Sequence, residues 1–477
     1  MTMKKVIALV LMLATVLTMA ACTKPTTDPE SSEAVSSEAA SSETSASSET
    51  SEITLDNGLI PFGVYYVINQ KGEYITASTT NTKVFVGDGS KEEPSRWTVY
   101  YRTVGNEKHY VLYRNIDMNS PLVAKASKVG GEIVRGNKVG QANCFDLVPT
   151  EDGKNYRIVS ATNPEVCFGS DGKNLVFEET ASGSDTTVWH FEKAAPSDKY
   201  QEYISAKGNI VMRIPAYFTG RHSIGLTKEL AQKYVDLLQI AYEAEIELTG
   251  YIPYDVIVIK AYEKENIVAG VVDNYNVITV DKGFMEGEVT KLAYRYNTLH
   301  RWDLGFAIMH EMGHMFDSQR AWNFESEAWT DLKLCYATKI CNERWNQPDG
   351  YPVALAPSDF GKKDVFTYEE LDEMYTRCGH YDQGAMKTAY SFYAMAHIYL
   401  KIADKYGWEN FQKTFHYFQD AGETQATYKT RIDRYYAFTD KLSEFIGKSP
   451  KALVDEVNPT AWDIIIDFNT YDGRKAL

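Results

Sequence analysis

The stretch Phe306 to Asp331 reads FAIMHEMGHMFDSQRAWNFESEAWTD and places His310, Glu311 and His314 in the pattern H-E-x-x-H. On a helix, residues four apart share a face one turn apart, so both imidazoles can point at a single cation. Neutral imidazole suits zinc, and two His ligands plus one carboxylate leave a position open for water, the arrangement of a hydrolytic site rather than a structural one. Glu311 lies beside the first ligand, about a quarter turn round the helix, where its carboxylate can take a proton from the attacking water. The ion lowers the pKa of that water and polarises the scissile carbonyl, so the implied reaction is amide hydrolysis with Glu311 as base and then as acid to the leaving amine.

A third ligand must come from further along the chain. Phe324 to Asp331 offers Glu325, Glu327 and Asp331. Glu327 and Asp331 are four apart and share a face if this segment is helical. Glu327 is assigned to the metal and Asp331 to the second nitrogen of a ligand histidine. Glu325 competes with Glu327, because the helix could begin at either residue. The spacing alone also fits a surface helix with two idle histidines, but the apolar lead-in Phe306-Ala307-Ile308-Met309, the small Gly313 and the carboxylates that follow all favour the metal site.

These residues need a scaffold. Upstream, Ile210-Val211-Met212-Arg213-Ile214-Pro215, Val256-Ile257-Val258-Ile259 and Asn276-Val277-Ile278-Thr279-Val280 read as strands. Thr227 is the N-cap of a helix to about Leu248, with Glu229 and Leu230 in its first turn. A small sheet ahead of an H-E-x-x-H helix is the layout of zinc endopeptidases generally, where an edge strand can pair with an extended substrate. Downstream, His380, Tyr381 and Tyr390 are candidates for steadying an oxyanion, each with an ordinary packing or surface role as the alternative. His397 sits on an apolar helical face and reads as a core histidine. The aromatics from Phe411 to Tyr436 recur at helical spacing and read as core.

Ahead of this region, Ile53 to about Ala194 shows short alternating strands between Gly, Asn, Asp and Ser turns. A threefold repeat of roughly 45 residues runs through it, the spacing a β-trefoil needs to bury one shared core. Its units open at Tyr65, Tyr110 and Tyr156 and close on Trp97, Phe145 and Trp189. A hinge at Ala194-Ala195-Pro196-Ser197-Asp198 is expected to separate the two parts.

At 477 residues the chain holds two or three domains, and a net charge of −16 argues against nucleic acid as a partner. Lys4-Lys5, an apolar run from Val6 to Leu17 and Met19-Ala20-Ala21-Cys22 read as an export signal. Residues 23–53 form a Ser/Glu-rich tract with too few apolar residues to order, expected to act as a tether. Five cysteines remain, Cys144, Cys167, Cys335, Cys341 and Cys378, and no disulfide is assigned among them.

Three resemblances add to this reading. Met19-Ala20-Ala21-Cys22 resembles the lipobox of bacterial lipoproteins, which implies cleavage before Cys22 and lipid attachment to its sulfur. Tyr66-Val67-Ile68-Asn69-Gln70-Lys71-Gly72-Glu73-Tyr74-Ile75 resembles the opening of a ricin-type lectin repeat, although the Q-x-W signature of that family reads Ser95-Arg96-Trp97, Asn143-Cys144-Phe145 and Thr187-Val188-Trp189 here. That resemblance implies a possible glycan ligand, with a spacer that binds nothing as the alternative. Finally, His310-Glu311-Met312-Gly313-His314, Glu327 and Tyr406-Gly407-Trp408-Glu409-Asn410-Phe411 resemble the M60-like, enhancin-type metallopeptidases of the gluzincin group, the last phrase being similar to the end of a helix in that family. Asp331 stands where many members carry Asn. The resemblance implies a surface protease that cuts O-glycosylated, mucin-like host proteins, often with a carbohydrate-binding module attached.

The expectation is therefore a multidomain chain. Residues 1–22 are a lipoprotein signal peptide, 23–53 a linker, 54–194 an all-β trefoil-like domain, and 195–477 an α/β-plus-helical zinc metallopeptidase domain. It would be extracellular and lipid-anchored to the bacterial cell membrane through Cys22, and would hold a single zinc ion. The alternatives are a carbohydrate-binding adhesin with an inactive peptidase-like domain, and a protease of the organism's own envelope proteins.

Overall fold

A computed structural model describes residues 60–354 and 399–449, apart from 90, 92, 105–106, 116–120, 137–140, 195–198, 255, 263–268, 272–275, 318–325, 424–426 and 429–430. Cys22 and the segments 1–22 and 23–53, most of the expected hinge, Glu325, Cys378, His380, Tyr381, Tyr390 and His397 lie outside the described residues.

The first described region contains strands β1 (Gly63–Asn69), β2 (Tyr74–Ala77), β3 (Val84–Gly87), β4 (Arg96–Val104), β5 (Glu107–Arg114), β6 (Leu122–Ala124), β7 (Ile133–Arg135), β8 (Phe145–Pro149), β9 (Tyr156–Ser160), β10 (Asn163–Ser170), β11 (Leu175–Glu179) and β12 (Trp189–Lys193). Strands β1, β4, β5, β8, β9 and β12 pair antiparallel in a ring that β12 closes onto β1, which leaves this barrel no free edge. The remaining strands form the hairpins β2–β3, β6–β7 and β10–β11. Bridges from Phe85 to Asn174 and from Glu132 to Val176 join the hairpins to one another.

The repeat read from the sequence appears as three equivalent cross-strand pairs, Tyr65 with Trp97, Tyr110 with Phe145, and Tyr156 with Trp189. The three closing aromatics have no exposed surface, and burying rings of this size dominates a small core. Trp97 and Trp189 donate their indole N–H to the carbonyls of Ile75 and Phe168 at 2.8 and 3.0 Å, one in each outer hairpin. The middle repeat has Phe145 in that place, and it meets Phe168 edge-on at 4.7 Å between centroids. The result is a trefoil-like β-barrel.

The second region is built on a five-stranded sheet of β13 (Tyr200–Ile204), β14 (Ile210–Pro215), β15 (Ile257–Tyr262), β16 (Ala269–Val271) and β17 (Val277–Asp281) in the order β13-β14-β15-β17-β16. The central strands β14, β15 and β17 run parallel, so both faces of the sheet need cover. Helix α1 (Lys228–Thr249) makes the crossover from β14 to β15; Thr227 caps it by accepting from the Leu230 N–H at 3.0 Å. On this side Ile210, Met212, Ile214, Ile257, Ile259, Ile278 and Val280 join the core beneath the helices.

The intervening residues point the other way, because side chains alternate along a strand. Val211, Val258 and Val277 form one row across the three strands and pack, with Val256, against Tyr100, Val111 and Tyr113 of the barrel. The sheet's second face is thus covered by the trefoil-like domain. Asn276 Nδ2 donates to the Tyr113 hydroxyl at 3.1 Å, and the Arg213 guanidinium, paired with Glu202 on the neighbouring strand β13, reaches the Asn115 carbonyl across the same seam. The two parts share a buried apolar interface, and most of the expected hinge between them lies outside the described residues.

After the sheet come α2 (Lys282–Tyr294), β18 (Trp302–Asp303), α3 (Phe306–Met315), α4 (Ser326–Arg344), β19 (Val353–Ala354), α5 (Trp408–Asp420) and α6 (Arg431–Ile446). The sequence phrase ending in Trp408 and Phe411 does not close one helix. Residues 399–406 are helical, Gly407 takes φ 92°, and α5 begins at Trp408. That positive φ is disfavoured for any residue with a Cβ, so the glycine turns the chain between two helices. The expected aromatic core also needs correction at two places. Phe411, Phe415, Phe418 and Tyr435 are buried, whereas Tyr417 and Tyr436 are 41% and 44% exposed. Among the described residues, no helix is long and apolar enough to cross a membrane.

Candidate metal centre

Helix α3 separates its faces cleanly. Ile308, Met309, Met312 and Met315 are in the core, while His310, Glu311 and His314 are partly exposed on the other side. The Nε2 atoms of His310 and His314 lie 3.1 Å apart, with the two rings nearly perpendicular. Two zinc–nitrogen bonds of about 2.0–2.1 Å at a tetrahedral angle put the nitrogens roughly 3.3–3.4 Å apart, so the pair fits a shared cation closely. Phe306 stacks on His310 at 5.6 Å, one turn earlier on the helix.

Each imidazole has a carboxylate within 3.4 Å of its other nitrogen, hydrogen-bonded at His314 and in ion-pair range at His310. Asp331 Oδ1 is 3.4 Å from His310 Nδ1, and Asp317 Oδ2 is 3.2 Å from His314 Nδ1. Both carboxylates are buried, with side chains 3% and 6% exposed, so each acts at short range in a poorly solvated setting. Partners of this kind hold a ligand ring in orientation and turn Nε2 toward the place of a cation. The donor set therefore suits zinc on observation of the rings themselves.

Helix α4 brings Asp331 into place. A Cβ on Gly313 would come within 2.9 Å of Thr330 Cγ2 and 3.3 Å of its Cα, which is why a glycine stands between the ligands: α4 crosses α3 at that point. The Thr330 hydroxyl donates to Asp317 at 3.0 Å, and Lys333 Nζ donates to the Gly313 carbonyl at 2.8 Å and pairs with Asp317. Asp317, Thr330 and Lys333 were not found by sequence reasoning. The signal for Asp317 was its place three residues after His314; Lys333 offered none, since a helix lysine usually faces water.

Glu327 lies in the first turn of α4, four residues ahead of Asp331, and its side chain is outside the described residues, as is all of Glu325. Among the described residues no group of three His, Cys, Asp or Glu side chains converges as a metal site. Cys144, Cys167, Cys335 and Cys341 are buried thiols with no disulfide among them. Edge strand β16 packs against α3.

No family model matches the chain, and no curated protein sequence does. Solved structures do. An endo-β-galactosidase from Clostridium perfringens that releases GlcNAcα1-4Gal is similar at 20% identity over 28% of this chain and 32% of its own, with a TM-score of 0.24. The BEL β-trefoil is similar at 17% identity over 28% of this chain and 93% of its own, with a TM-score of 0.24. The ricin B-like lectin of Macrolepiota procera, in complex with lactose, is similar at 16% identity over 28% of this chain and 95% of its own, with a TM-score of 0.23. The chain thus spans about a third of the galactosidase it matches.

Proposed function

We propose that this chain is a cell-surface zinc-dependent endopeptidase of the M60-like, enhancin-type kind, acting on O-glycosylated, mucin-like proteins. The observation that supports it is the pair of Nε2 atoms 3.1 Å apart, each ring backed by a buried carboxylate. His310 and His314, with Glu327 as third ligand, would hold the ion. When bound, zinc supplies Lewis acidity to the scissile carbonyl and a lowered pKa to the attacking water. Glu311, partly exposed and one residue from His310, takes the proton from that water and passes it to the leaving amine. Asp331 and Asp317 keep the two rings from turning. The run Met19-Ala20-Ala21-Cys22, which resembles a lipobox, supports a place on the outer face of the cell with lipid on Cys22.

A second reading is a carbohydrate-binding adhesin with an idle peptidase-like domain. It is favoured by the closed trefoil-like barrel, and the lactose complex named above makes lactose the first sugar to try. One experiment separates the two. Purified protein is incubated with a glycosylated and a deglycosylated mucin-type substrate, with and without chelator. The expected result is cleavage of the glycosylated form that chelator stops. Glu311→Gln is expected to cut at least a hundredfold more slowly while retaining roughly one zinc per chain. Saturable sugar binding without any cleavage would put the adhesin in its place.

A further inference from the structure

Behind His314 lies a buried ionic cluster whose lysine the hydrolytic reading does not use. Lys333 has a side chain only 2% exposed and Asp317 one 6% exposed. A buried ammonium is costly unless its protons are taken up by acceptors. Lys333 uses two: the Asp317 Oδ1 carboxylate and, at 2.8 Å, the carbonyl of Gly313. That carbonyl belongs to the last turn of α3, at the negative end of the helix dipole, and it also accepts from the Phe316 N–H at 3.1 Å. The same Asp317 faces His314 Nδ1 through its second oxygen at 3.2 Å, and the Thr330 hydroxyl donates to that oxygen at 3.0 Å.

One cation therefore grips both the helix end that carries His314 and the carboxylate that aims its ring. On the far side stands Glu245 of α1, with no exposed surface and, among the described residues, no hydrogen-bond partner for either carboxyl oxygen. Burial, and next to it the charge of Asp317, keep its proton on, against the opposing pull of Lys333. Of the two acids near Lys333, the one it hydrogen-bonds is Asp317, so the ammonium is committed to the carboxylate that touches His314.

We infer that Lys333 is a positioning residue for the second imidazole, acting through Asp317 and the Gly313 carbonyl to hold His314 Nε2 toward His310, so that the affinity of the chain for zinc depends on it. The inference rests on the zinc reading above. The test measures zinc affinity by competition with a chromophoric chelator for the full chain, Lys333→Met, Asp317→Asn and the double variant, with thermal unfolding of each zinc-free form. The expected result is a loss of about 10–100-fold in affinity for each single variant. The double variant should be no weaker than the weaker single, because both act along one path, and its zinc-free stability should recover relative to Lys333→Met, since no buried charge is left without its partner. A merely structural lysine would lower stability in Lys333→Met and leave affinity as in the parent, which overturns the inference, as do losses that multiply in the double variant. If Lys333→Met does not fold, the charge-neutral double variant decides: parental affinity in it overturns the inference. A parent chain that binds no zinc fails the metal reading itself, an outcome distinct from a parent that binds and a Lys333→Met that binds equally well.

Discussion

Glu245 shows what burial alone does to one side chain. With no exposed surface, its carboxyl is pushed up to about 8 from an ordinary value of 4.5, chiefly by loss of water, with Asp317 adding and Lys333 opposing. The Cys341 thiol is buried close by and is raised in turn by burial and by Glu245. Across the window from about 4.5 to about 8 the folded chain holds a proton that the unfolded chain has released, so stability falls as pH rises through it. Glu245→Gln keeps the shape and removes the ionisation. The melting temperature of that variant should depend less on pH across this window and should exceed that of the parent at pH 8; parallel profiles for the two proteins would reject this account. At the same scale His310, Glu311 and His314 were legible because a period of four on a helix is visible in sequence, and Asp331 because the same period relates it to Glu327. Asp317 and Lys333 were not, since the contact between them crosses two elements.

At the scale of elements, α3 and α4 have to cross closely for the site to exist, and Gly313 against Thr330 sets how closely. The helical span of α4, Ser326–Arg344, includes both Glu327 and Asp331 and places them one turn apart along the same side. With Asp331 beside His310, Glu327 is the carboxylate proposed as third ligand. Glu327→Ala should therefore lose zinc in equilibrium dialysis, by roughly a hundredfold or more for removal of a direct ligand, while Glu325→Ala retains it. Zinc lost by the Glu325 variant and kept by the Glu327 variant would reverse the assignment. The capped helix α1 was legible to within a residue, since Thr227 and the periodic core positions that follow are local signals. The break at Gly407 was misread, because a tyrosine, a glycine and a tryptophan in succession do not reveal the backbone angle that the packed helices impose.

The whole molecule is organised by a shared face. The parallel strands bury one side under helices and the other under the barrel, so the trefoil-like domain does the work that a second layer of helices performs in other parallel sheets. Gly208, in the turn between β13 and β14, lies against the barrel with φ 80°, and a Cβ there would meet the Tyr101 carbonyl oxygen at 2.5 Å and Arg102 Cα at 2.9 Å. Both obstacles are backbone and cannot swing aside. Gly208→Ala should destabilise the chain by roughly 2–4 kcal/mol, from the strained angle together with the overpacked seam. Denaturant unfolding checks it, and a loss below about 0.5 kcal/mol, the size of an ordinary surface substitution, would mean that the seam yields easily. A docked barrel also fixes any sugar-binding face at a set angle to α3, unlike a module on a flexible linker.

Local order in the chain was enough to specify the spacing of the histidine pair, the cap of α1, the three parallel strands of the central sheet and the threefold recurrence of aromatic pairs. Each of these depends on residues close in sequence or on a period, and both survive in one dimension. The tertiary structure alone decided that Asp317 and Lys333 stand behind His314, that Glu245 keeps its proton, and that the barrel closes over the sheet. These follow from burial and from contacts between distant elements: dielectric, close approach and the face left uncovered by α1 are properties of the packed molecule, and no pattern of neighbours along the chain encodes them separately.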